Sequence, residues 1–151
     1  MADIFQSDFR DFLFALKITN TEYIVVGGYA VIMHGYFRTT QDLDVWINKT
    51  PENYQKLIRA FAIFGMPIFD MSEDNFLSTK FDVFSIGRSP IRIDLITSLK
   101  GLDFESAFKN SIVKDIEDLE VRYLHLRDLI AAKTAAGRFK DLDDLEKLSL
   151  L

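Results

Sequence analysis

The sequence predicts an α+β fold, with a mixed β-sheet, helices packed on it and a helical C-terminus. Short apolar runs at residues 23–26, 42–47 and 91–96 have the length and composition of strands. Apolar residues at helical spacing lie between these runs, and residues 126–148 are rich in helix formers. Since we find no repeat and no long linker, we expect one domain that spans residues 1–151.

The first third of the chain alternates between helical and strand patterns. Residues 4–17 predict a helix through five apolar residues at helical spacing, namely Phe5, Phe9, Phe12, Leu13 and Leu16. A buried strand at 23–26 follows and ends in a tight turn at Gly27 and Gly28. A short helix at 29–34 and a polar loop then lead into the strand that carries Asp42 and Asp44.

The remaining elements follow from capping and turn residues. Thr50 and Pro51 begin a helix that Gly65 ends near Phe64, and residues 70–79 predict a loop. Residues 81–86 and 91–96 predict a hairpin through a turn at 87–90. A helix at 102–110 and strands at 112–114 and 120–124 come next. Two helices then close the chain: one from 126 to 136, ended by Gly137, and one from Asp141 with Leu142, Leu145 and Leu148 apolar.

Composition limits the classes of function. The chain has 48% hydrophobic residues, 14 Phe and no Cys, which favours a packed core and excludes disulfides, thiol nucleophiles and cysteine zinc sites. The net charge of -5 argues against a nucleic-acid binder that relies on a broad basic surface. The N-terminus lacks a secretory signal and no apolar run reaches bilayer length, so we expect a cytoplasmic protein without a membrane partner.

Three aspartates carry the chemistry. Asp42 and Asp44 are two residues apart in a strand, so their side chains share one face while Leu43, Val45 and Ile47 line the opposite face. Asp94 repeats this pattern within an apolar strand, where a carboxylate is costly unless it is paired, hydrated or metal-bound. Bound Mg²⁺ would make three crowded carboxylates favourable. Two alternatives stay open. Asp42 and Asp44 lie at a solvated edge of the sheet, or Asp94 forms a structural ion pair with Arg92.

The combination of these motifs resembles the DNA polymerase beta-like nucleotidyltransferase superfamily. The resemblance rests on the order of an apolar strand, Gly27-Gly28, a short helix, the run from Arg38 through Thr40 to Asp44, and the later Asp94. Within the superfamily, these residues and the closing segment 129–145 look like the branch of AbiEii-type toxins and lincosamide nucleotidyltransferases. The resemblance spans roughly residues 22–148 and implies a minimal nucleotidyltransferase fold.

The resemblance implies transfer of a nucleoside monophosphate from a nucleoside triphosphate (NTP) to a hydroxyl, with release of pyrophosphate. It assigns Asp42, Asp44 and Asp94 to catalysis and to binding of Mg²⁺, or of Mn²⁺ in its place. It also assigns the phosphate contacts to Gly27, Gly28, Arg38, Thr40 and Lys133. Arg138 and Lys140 are further basic candidates. The acceptor stays open between a small molecule, an RNA end and a protein.

Two departures from the superfamily keep a second hypothesis open. The common turn is Gly-Ser with the serine on phosphate, whereas position 28 is glycine, and the chain has little beyond Leu126 to grip an acceptor. The alternative is a non-catalytic nucleotide- or protein-binding member of the fold, such as one component of a toxin-antitoxin pair with a protein partner. Single residues also have structural interpretations: Lys133 lies at the helix surface, His34 is a packing residue and His125 is structural.

Overall fold

The computed structural model describes residues 4–68, 70–88 and 91–150. Within them lie six strands: β1 (Tyr23–Val26), β2 (Asp42–Ile47), β3 (Val83–Arg88), β4 (Ile91–Ile96), β5 (Ile112–Ile116) and β6 (Leu119–Tyr123). Seven helices accompany them: α1 (Ser7–Ile18), α2 (Gly27–Met33), α3 (Pro51–Phe64), α4 (Glu73–Leu77), α5 (Phe104–Asn110), α6 (Leu126–Ala136) and α7 (Phe139–Leu148). This arrangement confirms the predicted α+β class, the packed helices and the helical C-terminus.

The strands form one mixed sheet in the order β3-β4-β2-β1-β6-β5. The two edge hairpins, β3-β4 and β5-β6, are antiparallel, and so is the central pair β1-β2. The pairs β2-β4 and β1-β6 are parallel. Because β2 and β4 are neighbours, the two strands that carry the predicted aspartates lie side by side.

Apolar side chains cover both faces of the sheet. On one face, alternate residues such as Val25, Val45 and Leu95 pack against the phenylalanines of α1 and the buried side of α3. On the other face, Val26 and Trp46 pack with residues of α2, α5, α6 and α7. The second face also carries the even-numbered positions of β2 and β4, so the aspartates open onto the α6 and α7 side.

Caps define the ends of α3 and α6, as the sequence predicts. The Thr50 side chain accepts a hydrogen bond from the Asn53 amide at 3.1 Å, and Gly65 ends α3 with a φ of 82°. Gly137 ends α6 with a φ of 65°. These left-handed conformations favour glycine. Among the described residues, none of the helices is long and apolar enough to span a membrane.

Several predicted boundaries are wrong. Helix α2 begins at Gly27 itself, not at Tyr29, so the two glycines form the first turn of the helix. The segment predicted as a loop contains α4, whose N-cap Ser72 accepts from the Asn75 amide at 3.1 Å. Strand β3 runs over Val83–Arg88, not 81–86; residues 89 and 90 of the predicted turn lie outside the described residues. Helix α7 begins at Phe139, before Asp141.

Candidate functional site

Asp42, Asp44 and Asp94 lie on the same face of the sheet, on neighbouring strands. The alternation of β2 buries Leu43 and Val45 on the opposite face and leaves Asp42 and Asp44 partly exposed. In the parallel register of β2 and β4, Asp44 is the direct partner of Asp94, and Asp42 faces Arg92. The topology therefore brings a carboxylate from each strand to the same position.

Asp44 is the most perturbed acid of the site. Burial is the main cause that raises its pKa, and repulsion from Asp94 and Asp42 adds to it, so that the pKa reaches about 6. Lys140 and Lys133 act in the opposite direction. The carboxylate also packs on the backbone of Gly27, whose φ is +67°, and a Cβ at Gly27 would overlap Asp44 Oδ2. Glycine at this position thus permits the close approach of the carboxylate.

Asp94 holds two further contacts on one oxygen. Arg92 Nε donates to Asp94 Oδ1 at 3.1 Å, and the Ser85 hydroxyl contacts the same oxygen at 2.7 Å. Arg92 Nη2 lies 3.4 Å from Ser85 Oγ. The structural Arg92–Asp94 pair that the sequence left open is therefore present, together with the proximity of Asp94 to Asp44. The sequence gives no signal for this contact of Ser85.

The carboxylates do not form a closed metal cage. Over residues 4–68, 70–88 and 91–150, no group of three or more His, Cys, Asp or Glu side chains is arranged to hold a metal ion. The pair on β2 and β4 nevertheless has the oxygen chemistry of a magnesium site, because Mg²⁺ usually binds one or two carboxylates and completes its shell with phosphate oxygens and water. The residues fit a cation that arrives with a triphosphate.

Gly28 lies against the loop that enters β2. A Cβ at this position would come within 2.7 Å of Thr40 Oγ1 and 2.8 Å of Arg38 Nη2. Gly28 is also the one glycine of the seven whose φ is not positive. Glycine is therefore favoured at position 28 because a side chain would lack space there, and not because of the backbone conformation. Thr40 and Arg38 fill the volume that a serine side chain would need.

Lys133 is buried in an ionic cluster, which excludes the interpretation that it lies at the helix surface. The residue is 5% exposed, and its Nζ lies 2.8 Å from Asp144 Oδ2 and 3.3 Å from Asp141 Oδ1. Arg38 Nε lies 3.1 Å from Asp144 Oδ1, although no acceptor among the described residues aligns with that N–H. Arg138 Nε donates to Asp141 Oδ2 at 2.6 Å. Two carboxylates thus connect three cations from the loop, α6 and the start of α7.

This ionic cluster and Asp44 face a common pocket. The pocket has a volume of about 90 Å³ and is lined by Gly27 and Asp44 on the sheet side and by Lys133, Arg138 and Asp141 on the helical side. Its remaining walls are apolar, from Val26, Ile96, Leu99, Leu124, Leu129, Ala132 and Ala136. The structure therefore brings the Gly-Gly turn, one central aspartate and the predicted lysine together around one space.

The buried face of α7 carries more than its apolar residues. Of the three leucines in the apolar pattern, Leu142, Leu145 and Leu148, the first is 52% exposed. The buried positions are instead Asp141, Asp144 and Leu148, with each aspartate 1% exposed. Spacing of three and four residues places them on one face. That spacing, together with a lysine in the alanine-rich helix before it, is the signal by which Asp144 could have been found.

Both histidines lie in structural positions. His34 Nε2 contacts the Leu124 carbonyl oxygen at 2.7 Å, and the ring packs on Tyr123. Burial lowers the pKa of His34. His125 caps α6, because its Nδ1 accepts a hydrogen bond from the Arg127 amide at 3.0 Å. These contacts match the packing role expected for His34 and the structural role expected for His125.

The sequence matches a known protein family over residues 9–151, and that family is described as nucleotidyltransferase of unknown function (DUF6036). The chain belongs to this family. No curated protein matches the sequence at a significant level. Membership agrees with the superfamily resemblance carried by Gly27-Gly28, Asp42 and Asp44. The protein is therefore a member of a nucleotidyltransferase family.

Solved structures of nucleotidyltransferases share the fold. The lincosamide antibiotic adenylyltransferase LnuA, solved with lincomycin bound, aligns with a TM-score of 0.62 at 14% identity and covers 98% of both chains. The antibiotic-resistance factor ANT(2'')-Ia aligns with a TM-score of 0.65 at 11% identity, over 95% of this chain and 82% of its own. Because the sequence identities are this low, the similarity to these two proteins is a similarity of fold alone.

Proposed function

We propose that this protein transfers a nucleoside monophosphate from an NTP to a hydroxyl acceptor in a reaction that depends on Mg²⁺, or on Mn²⁺ in its place. The observation that carries the proposal is the direct pairing of Asp44 with Asp94 across β2 and β4, beside the Gly27-Gly28 turn, in a chain of a nucleotidyltransferase family. Two carboxylates held together on adjacent strands repel each other, and a bound cation removes that repulsion.

In the proposal, Asp42 and Asp44 hold the cation against the triphosphate, and Asp94 completes a metal site or receives the proton of the acceptor hydroxyl. A bound cation would supply charge stabilisation for the entering and leaving oxygens. The electrostatics of Asp44 support these roles, since burial and the neighbouring carboxylates raise its pKa to about 6. Cation binding is then coupled to loss of the Asp44 proton.

The phosphates would be bound around the pocket between the sheet and α6. Lys133 and Arg138 line this pocket and supply positive charge to it. Arg38 and Thr40 lie next to Gly28, and the charge of Lys140 acts on Asp44. Lys133 is already compensated by Asp141 and Asp144, so its charge acts as part of the ionic cluster. The backbone amides of Gly27 and Gly28 would donate to the phosphate, since the side-chain space beside the two glycines is occupied by Asp44, Thr40 and Arg38.

The reaction is an in-line displacement at the α-phosphorus. The acceptor oxygen forms a bond to the α-phosphorus, while the bond from that phosphorus to the bridging oxygen breaks. Pyrophosphate leaves with the electron pair of that bond. The hydroxyl proton passes to Asp94 and then to water. Asp94 lies on the face of the sheet that carries Asp44.

Thermal denaturation tests the nucleotide site. At an NTP·Mg²⁺ concentration 100-fold above Kd, ligand binding should stabilise the protein by about 2.7 kcal/mol and raise Tm by roughly 5 to 10 °C. Asp42→Asn with Asp44→Asn should abolish this rise, whereas Asp11→Asn on α1 should keep it. An unchanged Tm with all four NTPs, in Mg²⁺ and in Mn²⁺, would refute the proposal.

The Arg92–Asp94 ion pair favours a second candidate function. A carboxylate already held by Arg92 and Ser85 is less available to take a proton, which suits a non-catalytic nucleotide- or protein-binding member of the fold, such as a toxin-antitoxin component. Nucleotide-dependent stabilisation without pyrophosphate release would favour this candidate. Pyrophosphate release that requires Asp94 would eliminate it.

A further inference from the structure

A cavity of about 840 Å³ borders the β3 edge of the sheet. Its lining includes every residue from Val83 to Gly87 and, from the segment between α3 and α4, Met66, Ile68 and Met71. Only alternate residues of a strand point to the same face of a sheet. Because five consecutive residues of β3 line the cavity, it runs along the free edge of the strand and not over one face alone. We call this cavity the β3-edge groove.

The hydrogen bonds between β3 and β4 determine which backbone groups of β3 face the groove. Just beyond the last register pair, the Thr97 amide donates to the Asp82 carbonyl oxygen at 2.9 Å. Bonded and non-bonded pairs alternate along an antiparallel ladder. The N–H and C=O groups of Val83, Ser85 and Gly87 therefore point away from β4. Among the strands that the structure describes, none pairs with this side of β3.

The β3 edge lacks the features that usually keep an edge strand from pairing. Such features are charged side chains and proline, because unpaired N–H and C=O groups otherwise template the addition of another strand. The opposite edge, β5, carries the charged residues Lys114 and Asp115. Residues 83–87 read Val-Phe-Ser-Ile-Gly, without a charge or a proline. The β3 edge is therefore open to another strand, whereas β5 is protected.

The surroundings of the β3-edge groove determine the chemistry of an added strand. Phe84 and Ile86 line it together with Met66 and Ile68, so part of the wall is apolar. Residues 66–87, which contain the whole described lining, include four acidic residues and one basic residue, all exposed: Asp70, Glu73, Asp74, Asp82 and Lys80. These surroundings are acidic, so they attract a segment that carries positive charge.

We infer that the β3-edge groove binds an extended, cationic segment of a partner polypeptide, which adds to β3 as a seventh strand of the sheet. Main-chain hydrogen bonds to Val83, Ser85 and Gly87 hold the segment in place. Apolar side chains at every second position of the segment pack on the groove wall beside Phe84 and Ile86. The groove shares no described lining residue with the pocket of the proposed nucleotide site, so the inference does not depend on nucleotidyl transfer.

Synthetic octapeptides test strand addition on the intact wild-type protein. The probe is acetylated, amidated and alternates valine with lysine. Two controls have the same sequence with N-methyl groups on the valine amides or on the lysine amides, so that each blocks the main-chain donors of one strand edge and keeps the side chains. A third control alternates valine with glutamate and reverses the charge. Binding is measured by amide NMR shifts at low salt, and the bonded amides are identified by hydrogen exchange.

Two matched proline substitutions test the same edge from the side of the protein. Val83 is the first residue of β3, and its N–H points away from β4, so Val83→Pro removes no bond to β4. Val113 lies on the opposite edge strand, where the turn at Glu117 and Asp118 closes the β5-β6 ladder with a hydrogen bond. By the same alternation the Val113 N–H also points outward, so Val113→Pro is the control.

We expect the valine–lysine peptide to protect the amides of Ser85 and Gly87 from hydrogen exchange and to leave those of Val113 and Asp115 unchanged. Affinity should be about tenfold weaker or more for one N-methylated peptide, for the valine–glutamate peptide and in Val83→Pro, and unchanged in Val113→Pro. No binding to the wild type, equal affinities across the peptides or the variants, or protection at β5 would overturn the inference. So would a dimer of the chain in analytical ultracentrifugation that Val83→Pro abolishes, because the edge would then bind a second copy.

Discussion

At the scale of single residues, Asp44 links the electrostatics of the site to protein stability. Its pKa in the folded protein is raised from 3.8 to about 6, chiefly by burial and then by Asp94. The folded state therefore binds the Asp44 proton more tightly than the unfolded state does. Ionisation of Asp44 lowers the free energy of unfolding as pH rises from about 4 to above 6.

Asp44→Asn should remove this pH-dependent penalty. In the absence of ligand, we expect the variant to gain stability relative to the wild type as pH rises from 4 to 8, by about 1 to 3 kcal/mol in total. Urea denaturation at several pH values measures the difference, with Asp11→Asn on α1 as the control. Parallel pH profiles for Asp44→Asn and the wild type would contradict the assigned pKa shift.

Gly28→Ala tests why the turn lacks a serine. The added Cβ would lie within 2.7 Å of Thr40 Oγ1 and 2.8 Å of Arg38 Nη2, so we expect a loss of about 1 to 3 kcal/mol from overpacking. The backbone conformation itself does not disfavour alanine, since φ at Gly28 is not positive. Denaturant unfolding measures this loss of stability. A variant as stable as the wild type would show that the loop with Arg38 and Thr40 moves away from the added Cβ at no measurable cost.

At the scale of elements, the ionic cluster attaches α7 to α6 and to the loop before β2. Asp144 contacts both Arg38 and Lys133, and Asp141 contacts both Lys133 and Arg138. Both aspartates are 1% exposed, so their charges depend on these partners. Removal of one partner from a buried ion pair usually destabilises a protein by about 3 to 5 kcal/mol.

Lys133→Met should therefore be strongly destabilising, by about 3 kcal/mol or more. Lys140→Met provides the matched control, because Lys140 is exposed and should change the free energy of unfolding by less than about 0.5 kcal/mol. Both variants remove a lysine that acts on Asp44. Equal, small effects in urea denaturation would mean that the ionic cluster does not hold α7 in place.

The elements also show where sequence reasoning succeeds. Helices α3 and α6 were predicted well because their ends depend on local signals, namely Thr50, Pro51, Gly65 and Gly137. The sequence does not predict the inward face of α7, because a leucine is normally expected to be buried in preference to an aspartate. The buried aspartates depend on Lys133 from another helix, and such a partner is not visible within the local pattern of α7.

At the scale of the whole molecule, strand order decides the geometry of the site. The alternation within β2 and β4 predicts which side chains share a face, but not that these strands are neighbours. The parallel register that pairs Asp44 with Asp94, and the hairpin that adds Ser85 to the same row, arise from nonlocal pairing. For this reason the sequence indicates the aspartates but not Ser85.

Transfer of the α-phosphate tests the central claim most directly. The protein is incubated with α-labelled NTPs, Mg²⁺ or Mn²⁺, and a cell extract as the source of hydroxyl acceptors. The account predicts that label enters a new product while an equal amount of pyrophosphate appears, and that Asp94→Asn slows both by about 10² or more. Nucleotide binding without label transfer, or transfer at the wild-type rate in Asp94→Asn, would contradict it.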